Sequence, residues 1–317
     1  MLGITLFVFG LGLLVGGGEA LVRGATSLAR AWGLPPAVIG LTVVAMGTSL
    51  PELAVGLLAA LQGQPDLAVG NVIGSNIFNV TAALGLTALI CTLPVRGSAV
   101  RLEWPVMFAT SGAAVLVLRD SFVDRVEAGV LLSALVLFTA YSVRIARREI
   151  TGEEKREFEA EVAGRLAPAR GNATIAAGLV VLGIVLLVVG GHSLVTGAVS
   201  LARQLGLSER VIGLTVVAIG TGTPELAASI VAAMRKQTDV AVANMIGSNI
   251  FNVLGILSVT ALVHPIRVSA AMAGPDLWWM LGTSLLLFPV LWRGMKVERW
   301  EGGVLVLVYA VYLALLV

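Results

Sequence analysis

Residues 40–79 read GLTVVAMGTSLPELAVGLLAALQGQPDLAVGNVIGSNIFN, and residues 213–252 read GLTVVAIGTGTPELAASIVAAMRKQTDVAVANMIGSNIFN. They align without a gap at an offset of 173, and 26 of 40 positions are identical. The likeness runs weakly upstream, where Gly18, Gly24, Ser27, Leu28, Ala29, Arg30, Gly33 and Leu34 recur as Gly191, Gly197, Ser200, Leu201, Ala202, Arg203, Gly206 and Leu207. Around this repeat the 317-residue chain is 57% hydrophobic and 13% charged, with a mean hydropathy of +0.96. Soluble domains run near 45–50% apolar and about 25% charged. Such a composition argues against a water-soluble enzyme, a disordered chain or a nucleic-acid binder. The single cysteine, Cys91, leaves no intrachain disulfide and no cysteine metal site. The expected medium is a bilayer.

Hydrophobic runs divided by short polar breaks predict ten spans, at 2–22, 36–61, 67–92, 104–118, 126–146, 173–196, 210–234, 240–263, 272–292 and 302–317. The fourth and tenth are short for crossing hydrocarbon. The first has no basic residue before its apolar run and Arg23 after it, so it reads as a retained helix, not a signal peptide. With the N-terminus outside, sixteen Lys and Arg fall on inner loops and five on outer ones. That positive-inside bias predicts both termini outside and the charged 147–172 segment in the cytoplasm, in a cell or inner membrane. An offset of 173 contains five spans, an odd number, so the second copy enters from the opposite side. The expectation is an all-α membrane protein of two inverted five-helix repeats, 1–146 and 173–317, joined by the 147–172 linker. Secondary transporters share that plan and bind substrate near the midplane where the repeats meet.

Span 2 contains Gly47-Thr48-Ser49-Leu50-Pro51-Glu52, and span 7 contains Gly220-Thr221-Gly222-Thr223-Pro224-Glu225. A carboxylate at membrane depth costs several kcal/mol and by default faces a cavity or a partner. No basic residue lies in the membrane core of either block, so a bound cation is the natural neutraliser. A buried, protonated Glu serving only as a hydrogen-bond donor is the bland alternative. Each proline denies its helix an N–H and clashes with the carbonyl four residues back, at Gly47 and Gly220. Both helices are therefore expected to break, freeing carbonyls near 47–48 and 220–221. Those carbonyls, the hydroxyls of Thr48, Ser49, Thr221 and Thr223, and two carboxylates form an all-oxygen set suited to a hard cation such as Ca²⁺. The prolines also suit the start of a new half-helix, with each Glu in its positive first turn.

The partner spans carry Gly70-Asn71-Val72-Ile73-Gly74-Ser75-Asn76-Ile77-Phe78-Asn79 and Ala243-Asn244-Met245-Ile246-Gly247-Ser248-Asn249-Ile250-Phe251-Asn252. Gly70/Gly74 and Ala243/Gly247 are small-residue pairs at a spacing that lets helices approach. Asn76 and Asn79 share a face, as do Asn249 and Asn252. Their amide oxygens can complete a cation shell, with Ser75 and Ser248 beside them. Interhelical hydrogen bonding is the competing role, above all for Asn71, Asn76, Asn244 and Asn249. His192 and His264 read as interfacial or packing residues, Glu19 and Arg23 as a surface pair, and Asp66 and Asp239 as helix caps.

These blocks resemble the two alpha-repeats of the sodium/calcium exchanger family of the calcium/cation antiporter superfamily, whose signature is G-[ST]-S-x-P-E followed by G-N-x-x-G-S-N-x-x-N. The resemblance implies ten helices in two inverted halves, exchanging Ca²⁺ for several Na⁺ by alternating access. It further implies Glu52 and Glu225 as central ligands, backbone carbonyls from Thr48 and Thr221, a sodium ligand in Ser49, and Asn79 with Asn252 in the middle of the site. Two departures stand out. Some members carry an Asp where this chain has Asn252, and Gly222 offers no hydroxyl opposite Ser49. Two carboxylates balance one Ca²⁺ or two Na⁺, which leaves the stoichiometry and the driving ion open. A proton-coupled or K⁺-assisted cation antiporter is the nearest alternative and a cation channel a remote one. No cofactor, enzymatic centre, nucleic-acid partner or large regulatory domain is expected, which suits a compact prokaryotic transporter.

Overall fold

The computed structural model describes residues 2–31, 45–47, 49–95, 97, 99–149, 173–234 and 238–316. Thr48 and nearly all of the 147–172 linker lie outside the described residues. The fold is all-helical apart from two short strand pairings. In chain order the helices are α1 (Leu2–Ala31), α2 (Leu50–Leu61, preceded by the single turn Ala45–Gly47), α3 (Pro65–Ile90), α4 (Ala99–Leu118), α5 (Arg125–Glu149), α6 (Ala173–Leu205), α7 (Glu209–Met234), α8 (Thr238 to Val263), α9 (Pro275–Trp292) and α10 (Arg299–Leu316). Eight of these are long and apolar enough to cross a membrane among the described residues. The two that fall short are α2, with 12 residues, and α9, whose first turn holds Asp276.

The short fourth span of the sequence reading gains its missing turn from Ala99–Glu103, a π-helical turn that carries Arg101 and Glu103. It gives α4 20 residues. Similar π turns open inside α3 at Asn79–Ala83, inside α7 at Gly213–Val217 and inside α8 at Asn252–Leu257. Leu93–Pro94 pairs with Lys296–Val297, and Phe122–Val123 pairs with Ile266–Arg267, so a two-residue ribbon braces each end of α4.

Burial separates a centre from a periphery. The spanning segments of α3 and α8 are 83% and 72% buried, against 28% for α1 and α6. A helix buried on all sides has no solvent or lipid face to keep, so α3 can carry asparagine and glycine throughout. The small residues of α3 are needed where they stand. A Cβ on Gly74 would lie 2.5 Å from the Leu214 carbonyl oxygen, and one on Gly70 3.2 Å from Gly213 Cα. This is the close approach that the Gly70/Gly74 spacing predicts, with α7 as the partner. A partly buried ion pair, Arg210 Nε to Asp276 Oδ2 at 2.7 Å, ties the start of α7 to the start of α9.

The peripheral helices α1 and α6 pack on each other through glycines seven residues apart. Gly3 lies against Gly197, Gly10 against Gly190, Gly17 against Gly183, and Gly24 against Ala176. A Cβ on Gly10 would come within 2.5 Å of Leu194 N, so only glycine permits this backbone contact. The same pair reaches both helix interruptions. Gly18 lies near Gly47 O and Pro51, while Phe7 and Leu11 lie over Gly220.

A candidate cation site between two interrupted helices

Helix α2 starts after a turn at Ser49 (φ −90°, ψ 9°), and α7 turns in the same way at Gly222 (φ −80°, ψ −1°). In α7, where each residue from Glu209 to Met234 is described, the interruption therefore falls one or two residues later than the sequence suggests and is narrower than an unwound segment. Leu53 N still bonds Ser49 O, and Leu226 N bonds Gly222 O, both at 3.1 Å. Pro51 and Pro224 occupy the second position of the helix that follows, so the carbonyls of Gly47 and Gly220 lose their usual i+4 donor. Glu52 and Glu225 fall in the first turn, at its positive end.

The two acids are almost wholly buried, at 2% and 1% exposure, and they converge. Ser49, at the mouth of the helix that carries Glu52, donates from Oγ to Glu225 Oε1 at 3.0 Å. The same Oγ lies 3.4 Å from Ser248 Oγ. On the other side, Thr221 Oγ1 donates to Asn71 Oδ1 at 3.0 Å, and Asn71 Nδ2 donates to the Glu52 backbone carbonyl at 3.2 Å. Each interrupted helix is thus strapped to residues of the other copy or of its partner helix.

Four asparagines close the cluster, and the π turns of α3 and α8 begin on two of them, Asn79 and Asn252. Such turns widen a helix and are frequent at functional sites. Asn79 Nδ2 donates to Asn249 Oδ1 at 3.1 Å, and Asn252 Nδ2 donates to Asn76 Oδ1 at 3.0 Å. With their NH₂ groups engaged, Asn79 and Asn252 are left with carbonyl oxygens that find no hydrogen-bond partner among the described residues. The same holds for Glu52 Oε2 and Ser75 Oγ. A buried polar atom without a partner costs about 1–3 kcal/mol. Several orphaned oxygens gathered in one place are what a dehydrated hard cation would satisfy. No group of three acidic, histidine or cysteine side chains gathers among the described residues, so the donor set is two carboxylates plus neutral oxygens.

Other expected residues fall elsewhere. Thr223 is exposed and donates to Ile219 O at 2.7 Å, so its hydroxyl turns back onto its own helix and away from the cluster. Asn244 bonds Ser229 Oγ at 3.3 Å. Asp66 caps no helix of its own; its Oδ1 accepts from Ser269 N at 2.8 Å. His192 meets Gln62 at 3.1 Å, and Arg23 meets Glu19 at 2.6 Å, as surface pairs. The sequence reading overlooked Met107 and Met280, whose sulfurs accept from Asn249 and Asn76. It also overlooked Ser111 and Ser284, whose hydroxyls meet at 2.9 Å. The signal was the same offset: Met107-x-x-Thr110-Ser111 recurs as Met280-x-x-Thr283-Ser284.

A buried pocket of oxygens inside an all-helical membrane protein defines an ion-transport class of protein. The family model for sodium/calcium exchanger proteins matches residues 2–144 and again 175–317, and the chain belongs to that family. It is 38% identical to CaxA of Alkalimonas amylolytica over 100% of this chain and 99% of that one. It is 37% identical to the inner membrane protein YrbG of Escherichia coli (strain K12), over 100% and 97%. Among solved structures it matches the sodium–calcium exchanger NCX_Mj soaked with 10 mM Na⁺ and zero Ca²⁺, at 30% identity and a TM-score of 0.65, covering 99% of this chain and 98% of that one. The protein is a multi-pass membrane antiporter for Ca²⁺ and other cations, with a fold like that of NCX_Mj.

Proposed function

We propose that the protein exchanges Ca²⁺ for Na⁺ by alternating access. Its ten spans would be arranged as inverted repeats 1–146 and 173–317, with both termini outside and the 147–172 linker in the cytoplasm. Either ion would be held by Glu52 and Glu225, by the oxygens of Asn79 and Asn252, by Ser49, and by backbone carbonyls at Gly47–Thr48 and Gly220–Thr221. Ser75 and Ser248 would share in this, Ser248 with its hydroxyl 3.4 Å from that of Ser49. Thr221 would contribute through its carbonyl, since its hydroxyl is engaged with Asn71.

The observation that carries this reading is the convergence of two buried carboxylates with amide oxygens that lack partners among the described residues. Because one set of oxygens serves both ions, Ca²⁺ and Na⁺ compete for it. An empty site with two bare carboxylates is too costly to carry past an apolar constriction, which enforces exchange and prevents leak. The glycine-locked pair α1 and α6 covers both helix interruptions and shifts across the core to switch access.

Calcium uptake into vesicles reconstituted with the purified protein, with Na⁺, K⁺ and H⁺ gradients imposed one at a time, tests this. Uptake is expected to follow the outward Na⁺ gradient alone. Uptake that follows a pH gradient and ignores Na⁺ would assign the two carboxylates to proton carriage instead. Flux that needs no counter-ion would make the protein a channel.

A further inference from the structure

The four asparagines form two crossed arms, and each arm ends on a sulfur. In one arm Asn252 donates to Asn76 Oδ1, and Asn76 Nδ2 donates to Met280 Sδ at 3.5 Å. In the other, Asn79 donates to Asn249 Oδ1, and Asn249 Nδ2 donates to Met107 Sδ at 3.8 Å and to the Asn76 backbone carbonyl at 3.1 Å. Both methionines are fully buried, at 1% and 0% exposure, and they sit 173 residues apart in α4 and α9.

An amide can face either way, because oxygen and NH₂ have nearly the same shape. What orients a chain of amides is a group at its end that can only donate or only accept. Thioether sulfur and backbone carbonyl oxygen both only accept. Met280 therefore obliges Asn76 to present its NH₂ outward and its oxygen inward, to Asn252. Asn252 must then answer with its own NH₂, which leaves its oxygen without a partner among the described residues. The second arm obeys the same logic from Met107, with the Asn76 carbonyl as an additional acceptor.

We propose that Met107 and Met280 are positioning residues that set the polarity of this amide network, so that Asn79 and Asn252 offer oxygen and not NH₂ to the transported cation. The proposal rests on the exchanger reading above, because it concerns the same site. Without the sulfur, an arm gains freedom to flip and to aim donor hydrogens at a cation. The two arms differ in how firmly they end. Among the described residues the Asn76 NH₂ has Met280 alone, whereas Asn249 keeps a carbonyl if its sulfur is lost, so Met280 carries the greater share.

The test is the thermal melting of the purified full-length protein in detergent, titrated with CaCl₂ and separately with NaCl. Met280→Leu keeps the volume and removes the acceptor. It is expected to raise the Ca²⁺ concentration for half-maximal stabilisation by about five- to ten-fold, the scale of one lost hydrogen bond, over and above any fall in the ion-free melting temperature. Met107→Leu should shift it by less than about two-fold, because the Asn76 carbonyl still terminates that arm. Met280→Gln, whose amide can donate as readily as accept and so cannot fix the polarity, should not restore the response. A Met280→Leu protein with wild-type cation response, or one whose only change is a lower ion-free melting temperature, would reduce both methionines to packing and overturn the proposal alone. A wild-type protein that responds to neither Ca²⁺ nor Na⁺ would overturn the exchanger reading and this proposal together.

Discussion

The turns at Ser49 and Gly222 share one backbone conformation and differ in what fills the space beside them. At Ser49 the hydroxyl reaches across to Glu225 and Ser248. At Gly222 there is no side chain, and a Cβ there would stand 3.0 Å from both Phe78 Cδ1 and the Ala218 carbonyl oxygen. Since the same turn forms around serine and around glycine, the proline two residues later dictates the interruption. The residue at the turn is left to determine polarity. A second difference follows the same lines. Ser229 stands where the first copy has Gly56, and it engages Asn244. Asn71, facing no such hydroxyl, instead straps Glu52 to Thr221. The repeated backbone builds the pocket twice, and the few unmatched side chains make its two walls unequal.

The largest expected effect falls on what the two walls share. Glu52→Gln and Glu225→Gln should each abolish Na⁺-driven calcium flux while the protein still purifies as a folded species. Near-normal flux in both would detach the acids from transport. Next, Ser49→Gly makes the first turn like the second and removes a hydroxyl bond to a carboxylate, an interaction worth about 1.5–3 kcal/mol. The Na⁺ concentration for half-maximal exchange should rise by roughly ten-fold or more on that scale. An unchanged value would mean that the two walls are equivalent after all. The reverse swap, Gly222→Ser, forces a side chain against the Phe78 ring and should cost about 1–3 kcal/mol of stability, read as a lower melting temperature. A stability equal to wild type would show that the ring yields freely. The smallest contrast lies between Asn71→Ala and Asn244→Ala. The first should weaken calcium-dependent stabilisation by a few-fold and the second hardly at all, because Asn71 bonds the backbone of Glu52 itself, whereas Asn244 bonds the Ser229 hydroxyl one turn beyond Glu225. Equal losses would remove the distinction.

What could be read from the sequence followed the size of the energies involved. Two acids in apolar runs are so unfavourable that Glu52 and Glu225 announced themselves, and the prolines beside them announced the interruptions. Smaller preferences stayed hidden. Nothing in the order of residues tells that Thr223 bonds its own helix at Ile219, because a hydroxyl four residues from a free carbonyl can satisfy itself locally. Spacing put Asn76 and Asn79 on one face but could not divide their roles, which depend on which amide meets a sulfur. Met107 and Met280 passed as ordinary apolar residues, since hydropathy is blind to a thioether's lone pairs. The start of α4 was missed because Arg101 and Glu103 look like loop, although the backbone there is already a widened helical turn.

The residue numbers of the facing glycines in α1 and α6 add up to the same total at every contact: 3 with 197, 10 with 190, 17 with 183. That constant marks an antiparallel pair held in a single alignment, like meshed gear teeth. Shifting one helix along the other by one position would push side chains into peptide groups. The next alignment is seven residues away, about 10 Å. A displacement smaller than that has to be taken up elsewhere, so the pair travels as one rod.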